Sequence, residues 1–210
     1  MSTYGFYFDG TRCTACKTCV YACKDKNDLG LGFAYRKVFE YTGGSTNRDG
    51  GGAISTDCFA YSVSLSCNHC DDAVCIEVCP TAAMHRDPET ELVCVDAKVC
   101  IGCGYCALSC PYRAPKVDRE KGHSVKCDGC HHLVKNDEAP VCVLACPTRA
   151  LGFGTIPDMQ AKGEQANIAP LPTKEYTKPN MFIKPSKDAL PAALPAGTNN
   201  AFIANPLEVL

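Results

Sequence analysis

The sequence predicts an α+β fold of two nested modules, with an inserted β-hairpin and an extended proline-rich C-terminal tail. Three observations predict it. Cysteines recur in four dense groups, joined or preceded by short alternating apolar runs that end in Gly, Asp or Pro. A glycine-rich stretch between two strand-like runs separates the first two groups. Beyond Phe153 there is no cysteine, and eight of the 14 prolines fall there.

Composition narrows the class. Among 210 residues there are 18 cysteines and no Trp. Such a chain needs staples besides an aromatic core, and bound metal is one, because its binding energy becomes folding energy. A formal net charge of -2 excludes the strong positive field of a nucleic-acid binder. No run of 18 apolar residues occurs, so no membrane-spanning helix is expected. The start, MSTYGFYFDG, has neither a basic nor an apolar leader region, and no twin arginine follows, so no export signal is expected.

Sixteen cysteines form the groups. Group one, CTACKTCVYAC, holds Cys13, Cys16, Cys19 and Cys23. Group two, CNHCDDAVCIEVCP, holds Cys67, Cys70, Cys75 and Cys79. Group three, CIGCGYCALSCP, holds Cys100, Cys103, Cys106 and Cys110. Group four, CDGCHHLVKNDEAPVCVLACP, holds Cys127, Cys130, Cys142 and Cys146. Every group opens C-x2-C and closes C-x3-C; the last three end in Cys-Pro, the first in Cys23-Lys24.

Four closely spaced thiolates per group suit iron–sulfur ligation. C-x2-C-x2-C wraps one loop around a cube, with backbone N–H groups turned inward against its negative charge. The next cysteine sits on a departing helical turn and points away from that cube. In the bacterial ferredoxin pattern C-x2-C-x2-C-x3-C-P it ligates the other cluster of a pair. A disulfide framework has no reason to repeat this spacing four times, and structural zinc uses separated C-x2-C pairs. CDGCH, Cys127 to His131, matches the c-type haem attachment motif, but that use orphans Cys142 and Cys146. His131, His132 and His69 read as ordinary loop residues, since every ligand position is already Cys.

Groups one and three share an approach, FYFDGTRC and LVCVDAKVC, whereas groups two and four share the closing phrases CPTAAM and CPTRAL. A pair therefore contains one of each kind. Between Cys79 and Cys100 the chain reads as strand, turn around Asp87–Thr90, and alternating strand at Leu92–Val95. That hairpin joins groups two and three into an inner bacterial-type two-cluster ferredoxin module, residues 67–110. Groups one and four pair around it as the outer module, residues 1–23 and 111–152. Exchange of fourth ligands then gives four [4Fe–4S] sites. Cluster 1 takes Cys13, Cys16, Cys19 and Cys146; cluster 2 takes Cys127, Cys130, Cys142 and Cys23. Cluster 3 takes Cys67, Cys70, Cys75 and Cys110; cluster 4 takes Cys100, Cys103, Cys106 and Cys79.

In the insertion, residues 24–66, Arg36–Tyr41 and Phe59–Leu65 read as strands around a loop at Thr42–Gly52 that lacks a phosphate-binding motif. The tail, residues 153–210, cannot form a core alone. Its apolar Met181–Ile183 and Phe202–Ile203 favour a strap along a partner subunit, the alternative being a strap over this chain's own surface. Cys58 and Cys94 read as small buried hydrophobes. Arg12, Lys17, Lys24, Arg113, Lys116, Lys126 and Arg149 lie close to ligands in sequence and are expected to raise nearby potentials. No nucleophile–base pair is visible, so no catalysis by this chain is expected.

The stretches YGFYFDGTRCTACKTC, SCNHC, CIGCGYC with CPYRAP, KGHSVKCDGC, and TKPN with IKP in the tail carry a resemblance. Together they resemble the four-cluster iron–sulfur electron-transfer subunits of the dimethyl sulfoxide reductase family of molybdoenzymes, over nearly the whole chain. The resemblance implies a catalytic molybdopterin subunit and an integral-membrane quinone subunit as partners. It implies cluster 1 nearest the former and cluster 4 nearest the latter. It also implies a location peripheral to the cytoplasmic membrane, either exported with a partner bearing a twin-arginine signal or facing the cytoplasm. Related nitrate reductases carry Trp where this chain has Cys103, so four [4Fe–4S] clusters are implied. Electron-transfer subunits of formate dehydrogenase or hydrogenase, a stand-alone polyferredoxin and a zinc-dependent structural protein stay open as alternatives.

Overall fold

A computed structural model describes residues 3–193, 195 and 198–209. The chain opens with β1 (Tyr4–Asp9), whose alternation buries Phe6 and Phe8 at 1% and 0% exposure. The loop of group one runs into α1 (Thr18–Lys26). The segment between groups one and two holds β2 (Lys37–Gly43), β3 (Thr46–Arg48), β4 (Ile54–Thr56) and β5 (Phe59–Leu65). β2 and β5 pair antiparallel from Lys37↔Leu65 to Gly43↔Phe59, and β3 and β4 form an exposed ribbon beyond them. Gly44 makes the step between them at φ 95°, where an added Cβ would lie 2.5 Å from the Cys58 backbone.

Each later cysteine group adds a short helix, and hairpins link them. Group two carries α2 (Val74–Glu77), followed by β6 (Met84–Arg86) and β7 (Val93–Val95). Their turn is fixed by Asp87 Oδ1, which accepts from the Glu89 and Thr90 N–H groups at 3.1 and 2.9 Å. Group three carries α3 (Tyr105–Ser109), followed by β8 (Lys116–Asp118) and β9 (His123–Val125). Asp118 holds that turn in the same way, through Glu120 and Lys121. Group four carries α4 (His131–Val134) and α5 (Val141–Leu144). His131 and His132 thus open a helix rather than lying in a loop.

The remaining chain contributes β10 (Leu151–Thr155), α6 (Ile156–Gln160), β11 (Glu164–Gln165), β12 (Met181–Lys184), β13 (Phe202–Ile203) and α7 (Pro206–Val209). The largest sheet has the order β10-β1-β12-β11, with β1 antiparallel to β10 and parallel to β12. Met181, Phe182 and Ile183 are buried in this chain's own sheet, so they are not held out for a partner. β13 extends a second sheet, β13-β2-β5, and leaves Phe202 59% exposed. The architecture is mixed, with small sheets around the cysteine loops. One core unites Phe6, Phe8, Val38, Val63, Leu65, Met181 and Ile183 with Cys19, Cys142 and Cys146. A smaller core joins Ala73, Met84 and Val93 to Cys75 and Cys106. Among the described residues no helix is long and apolar enough to cross a membrane.

Candidate metal centres

All four C-x2-C openings share one backbone device. The residue before the second cysteine is left-handed in each: Ala15 (φ 54°), His69 (45°), Gly102 (67°) and Gly129 (70°). This turns successive N–H groups toward one side, a concavity that suits an anion. At Gly102 only glycine fits, since a Cβ would meet the Gly122 oxygen at 2.6 Å. His69 tolerates the strained backbone because its buried ring is anchored; the Val93 N–H donates to its Nδ1 at 2.9 Å. His69 is a loop residue, as expected, and its ring also braces that loop against Val93.

The Cys-Pro endings form a second device. The third residue after each closing cysteine, Ala82, Arg113 or Arg149, is also left-handed. The chain reverses there, so that the Met84 N–H donates to Cys79 Sγ at 3.4 Å and the Ala150 N–H to Cys146 Sγ at 3.3 Å. Group one lacks the proline, and its Cys23 stays within α1. There the Asn27 amide lies 3.6 Å from the sulfur.

The cysteines converge on four small cavities. The first is lined by Cys13, Cys16, Cys19 and Cys146. The second is lined by Cys23, Cys127, Cys130 and Cys142. The third gathers Cys67, Cys70, Cys75 and Cys110; the fourth gathers Cys79, Cys100, Cys103 and Cys106. In each, three cysteines come from one group and the fourth from another. Four sulfur donors in a largely apolar enclosure, with N–H and hydroxyl groups aimed at the sulfurs, fit an iron–sulfur cluster. Ser124 N–H donates to Cys100 Sγ at 3.3 Å, and its Oγ lies 3.3 Å from Cys106 Sγ. Gly129 N–H donates to Cys127 Sγ at 3.4 Å. Cys58 and Cys94 line none of the four cavities.

Comparison with known proteins gives the same class. A family model described as a 4Fe-4S dicluster domain matches residues 58–156. The sequence is 50% identical to the B subunit of an anaerobic dimethyl sulfoxide reductase of Haemophilus influenzae, over 100% of both proteins. It is 47% identical to the anaerobic dimethyl sulfoxide reductase B subunit of Escherichia coli K12, over 98% of each. This protein is a member of the dimethyl sulfoxide reductase B-subunit family. YnfG of E. coli K12, a probable anaerobic dimethyl sulfoxide reductase component, is 49% identical over 98% of each.

In this member of the B-subunit family, burial sets the chemistry of the thiols. It pushes Cys23 and Cys75 up to about 12, with neighbouring cysteines adding to the effect. Burial also raises Cys70 and Cys127. Loading such a site with metal therefore releases protons. At Cys16, by contrast, hydrogen bonds from Thr18 hold the thiol below its ordinary value.

Several residues of this B-subunit family member carry no sequence signal for the site. Arg36 is buried beside the second cavity, although it reads as the start of a strand. Thr177 lines the third cavity from the tail. Of the cations close to ligands in sequence, Arg12, Arg113 and Arg149 are exposed, and Lys126 is buried. Cys94 is buried as expected, and Cys58 is exposed, contrary to expectation, because it follows the outlying β3–β4 ribbon.

Proposed function

We propose that this chain is the electron-transfer subunit of a dimethyl sulfoxide reductase complex, with four [4Fe–4S] clusters. It relays electrons between an integral-membrane quinone-reactive subunit and a molybdopterin catalytic subunit, and performs no substrate chemistry itself. The observation that carries this reading is the reciprocal lining of the four cavities. Cys146 joins the cysteines of group one, and Cys23 those of group four. Cys110 joins group two, and Cys79 joins group three. We assign each set of four as the ligands of one cluster, in two nested ferredoxin modules with residues 24–66 as an insertion and 153–210 as a tail. The names of the relatives, B subunits of anaerobic dimethyl sulfoxide reductases, support the choice of complex.

Bound clusters supply one-electron carriers. The chain's part is to hold them in a fixed row, keep water from the sulfurs and set each potential through burial, N–H donors and charge. The reciprocal ligands make each pair of sites one rigid unit, because moving one loop moves a ligand of its neighbour. The complex is placed at the cytoplasmic membrane through its partners, on the outer face where the catalytic partner bears a twin-arginine signal.

Anaerobic purification with its partners tests this. The expected result is about 16 iron atoms per chain with four separable EPR signals, and molybdenum in a copurifying subunit. Zinc in place of iron, or iron for only two clusters, would overturn it.

A further inference from the structure

Two cations are buried where the cysteine cavities meet. Arg36 is 1% exposed and Lys126 is 5% exposed. Among the described residues, neither forms an ion pair with a carboxylate. A buried charge without a counterion is strongly unfavourable, so each cation requires an anion within its own surroundings.

Around Arg36 the direct contacts are neutral, and the carboxylate lining the same cavity, Asp128, forms no ion pair with it. Nη1 donates to Ser64 Oγ at 3.1 Å and Nη2 to Ser66 Oγ at 2.9 Å, while Nε has no acceptor among the described residues. The guanidinium lies 5.0 Å from the centre of the Phe6 ring. The sulfurs facing it are Cys19 of the first cavity and Cys23, Cys127 and Cys142 of the second. Ser64 extends the link, with its hydroxyl 3.5 Å from Cys19 Sγ.

Lys126 occupies the equivalent place one step along. Its ammonium donates to the backbone oxygens of Val93 and Cys127 and lies 3.7 Å from Cys67 Sγ. The cavity sulfurs facing it are Cys67 and Cys75 of the third site and Cys127 of the second; Cys94 faces it from outside the cavities. The interval between the third and fourth cavities is different. It is filled by Ala73, Met84 and Val93, packed with Cys75 and Cys106.

We propose that Arg36 and Lys126 are internal counterions, each shared by two successive iron–sulfur sites: Arg36 by the first and second, Lys126 by the second and third. Among the described residues, no such cation lines the fourth site. The inference rests on reading the cavities as iron–sulfur sites. A cluster held by four thiolates is an anion and becomes more negative on reduction, so a fixed cation beside it favours the reduced form and raises its potential. Burial makes the effect strong, because no water or salt screens it. The exposed Arg12, Arg113 and Arg149 lack that advantage. Arg36 and Lys126 are positioning residues; neither is a ligand.

The test is an EPR-monitored redox titration of the assembled complex carrying Arg36→Gln or Lys126→Gln, with iron counted in each. Each variant should shift two of the four midpoints to more negative values. One shifted signal should be common to both variants, and one signal should move in neither. Arg36→Lys and Lys126→Arg, which keep the charge, should leave the midpoints close to wild type. Full iron content with no midpoint moved, or with all four moved alike, would overturn the proposal. Where a Gln variant loses iron, loss confined to the two sites sharing that cation, with iron kept in the charge-conserving variant, supports it. Equal loss from all four sites in both variants of one residue would overturn it. A wild-type complex without four cluster signals would instead defeat the underlying reading before any variant is compared.

Discussion

Asn180 Nδ2 donates to the backbone oxygen of His69 at 2.9 Å, joining tail and cysteine loop across 111 positions. The same amide donates to Asp71 Oδ1 at 3.0 Å, and the Asn180 N–H donates to the Asn68 oxygen at 3.0 Å. Asp71 and Asp72 N–H groups return the contact to the oxygens of Lys178 and Thr177. Thr177–Asn180 therefore clamps the loop that bears Cys67 and Cys70. Asn180 is 2% exposed, so its truncation leaves buried groups unpaired, at a cost of about 1–3 kcal/mol. Asn180→Ala should speed chelator-driven loss of iron severalfold, with the signal of the Cys67 site fading first. Unchanged release kinetics would count against the clamp.

The clamp also shows what the sequence could and could not convey. Cysteine spacing is legible because a C-x2-C loop and a departing turn are local geometry: Ala15, His69, Gly102 and Gly129 repeat one backbone conformation. The Asp87 turn between Met84–Arg86 and Val93–Val95 is local too, and alternation with turn residues marks it. Arg36 is different. Its partners Ser64 and Ser66 lie 28 and 30 positions away, and nothing in RKVFEY distinguishes a buried guanidinium from an exposed one. Met181–Ile183 carries a correct apolar signal, but apolarity alone does not say which surface will cover it. Parallel pairing with β1 does, through Phe6↔Met181 and Phe8↔Ile183.

A pH prediction follows from Lys135, whose Nζ lies 2.8 Å from Asp87 Oδ2 and ties α4 to the β6–β7 hairpin. Burial disfavours the Asp87 carboxylate, but Lys135 and the Thr90 and Glu89 donors outweigh it and hold its pKa well below the usual range. A depressed folded pKa gives stability that is complete above the unfolded value, near pH 4, and is lost as pH falls through the folded value. Asp87→Asn should therefore bleach faster than wild type at pH 7, by severalfold in the visible absorbance. Below about pH 4 the gap should narrow progressively, because Asp87 of the unfolded wild type is then protonated and the advantage of the folded carboxylate fades toward its lower folded value. A gap that stays constant with pH would exclude this ion pair as its source.

Cys58 and Cys94 should separate in reactivity. Cys58 is exposed beside the β3–β4 ribbon. Cys94 is buried in β7, and burial, against the pull of Lys126, pushes its thiol up to about 11. The thiolate is the reacting species, so Cys94 is doubly protected. Iodoacetamide at pH 8 should label one thiol per chain in the holoprotein. Peptide mass spectrometry should place the label at Cys58, and Cys58→Ser should abolish it. Labelling of Cys94 at a comparable rate would contradict this burial.

The ligand exchange makes the most discriminating prediction. Cys106 and Cys110 are neighbours in group three, one inside α3 and the other just beyond it at φ -77°, ψ 114°. That single change from helical to extended backbone carries Cys110 out of the cavity lined by Cys100, Cys103 and Cys106 and into the one lined by Cys67, Cys70 and Cys75. Serine preserves the shape of either side chain and offers oxygen in place of sulfur. Cys110→Ser and Cys67→Ser should therefore alter the same EPR signal, each at a cost of up to about four irons. Cys106→Ser and Cys79→Ser should alter a different one. Proximity in sequence argues for the opposite pairing, Cys110 with Cys106. If those two substitutions struck one signal and spared that of Cys67, the reciprocal assignment would fail for the inner module, and its mirror in Cys23 and Cys146 would lose its support.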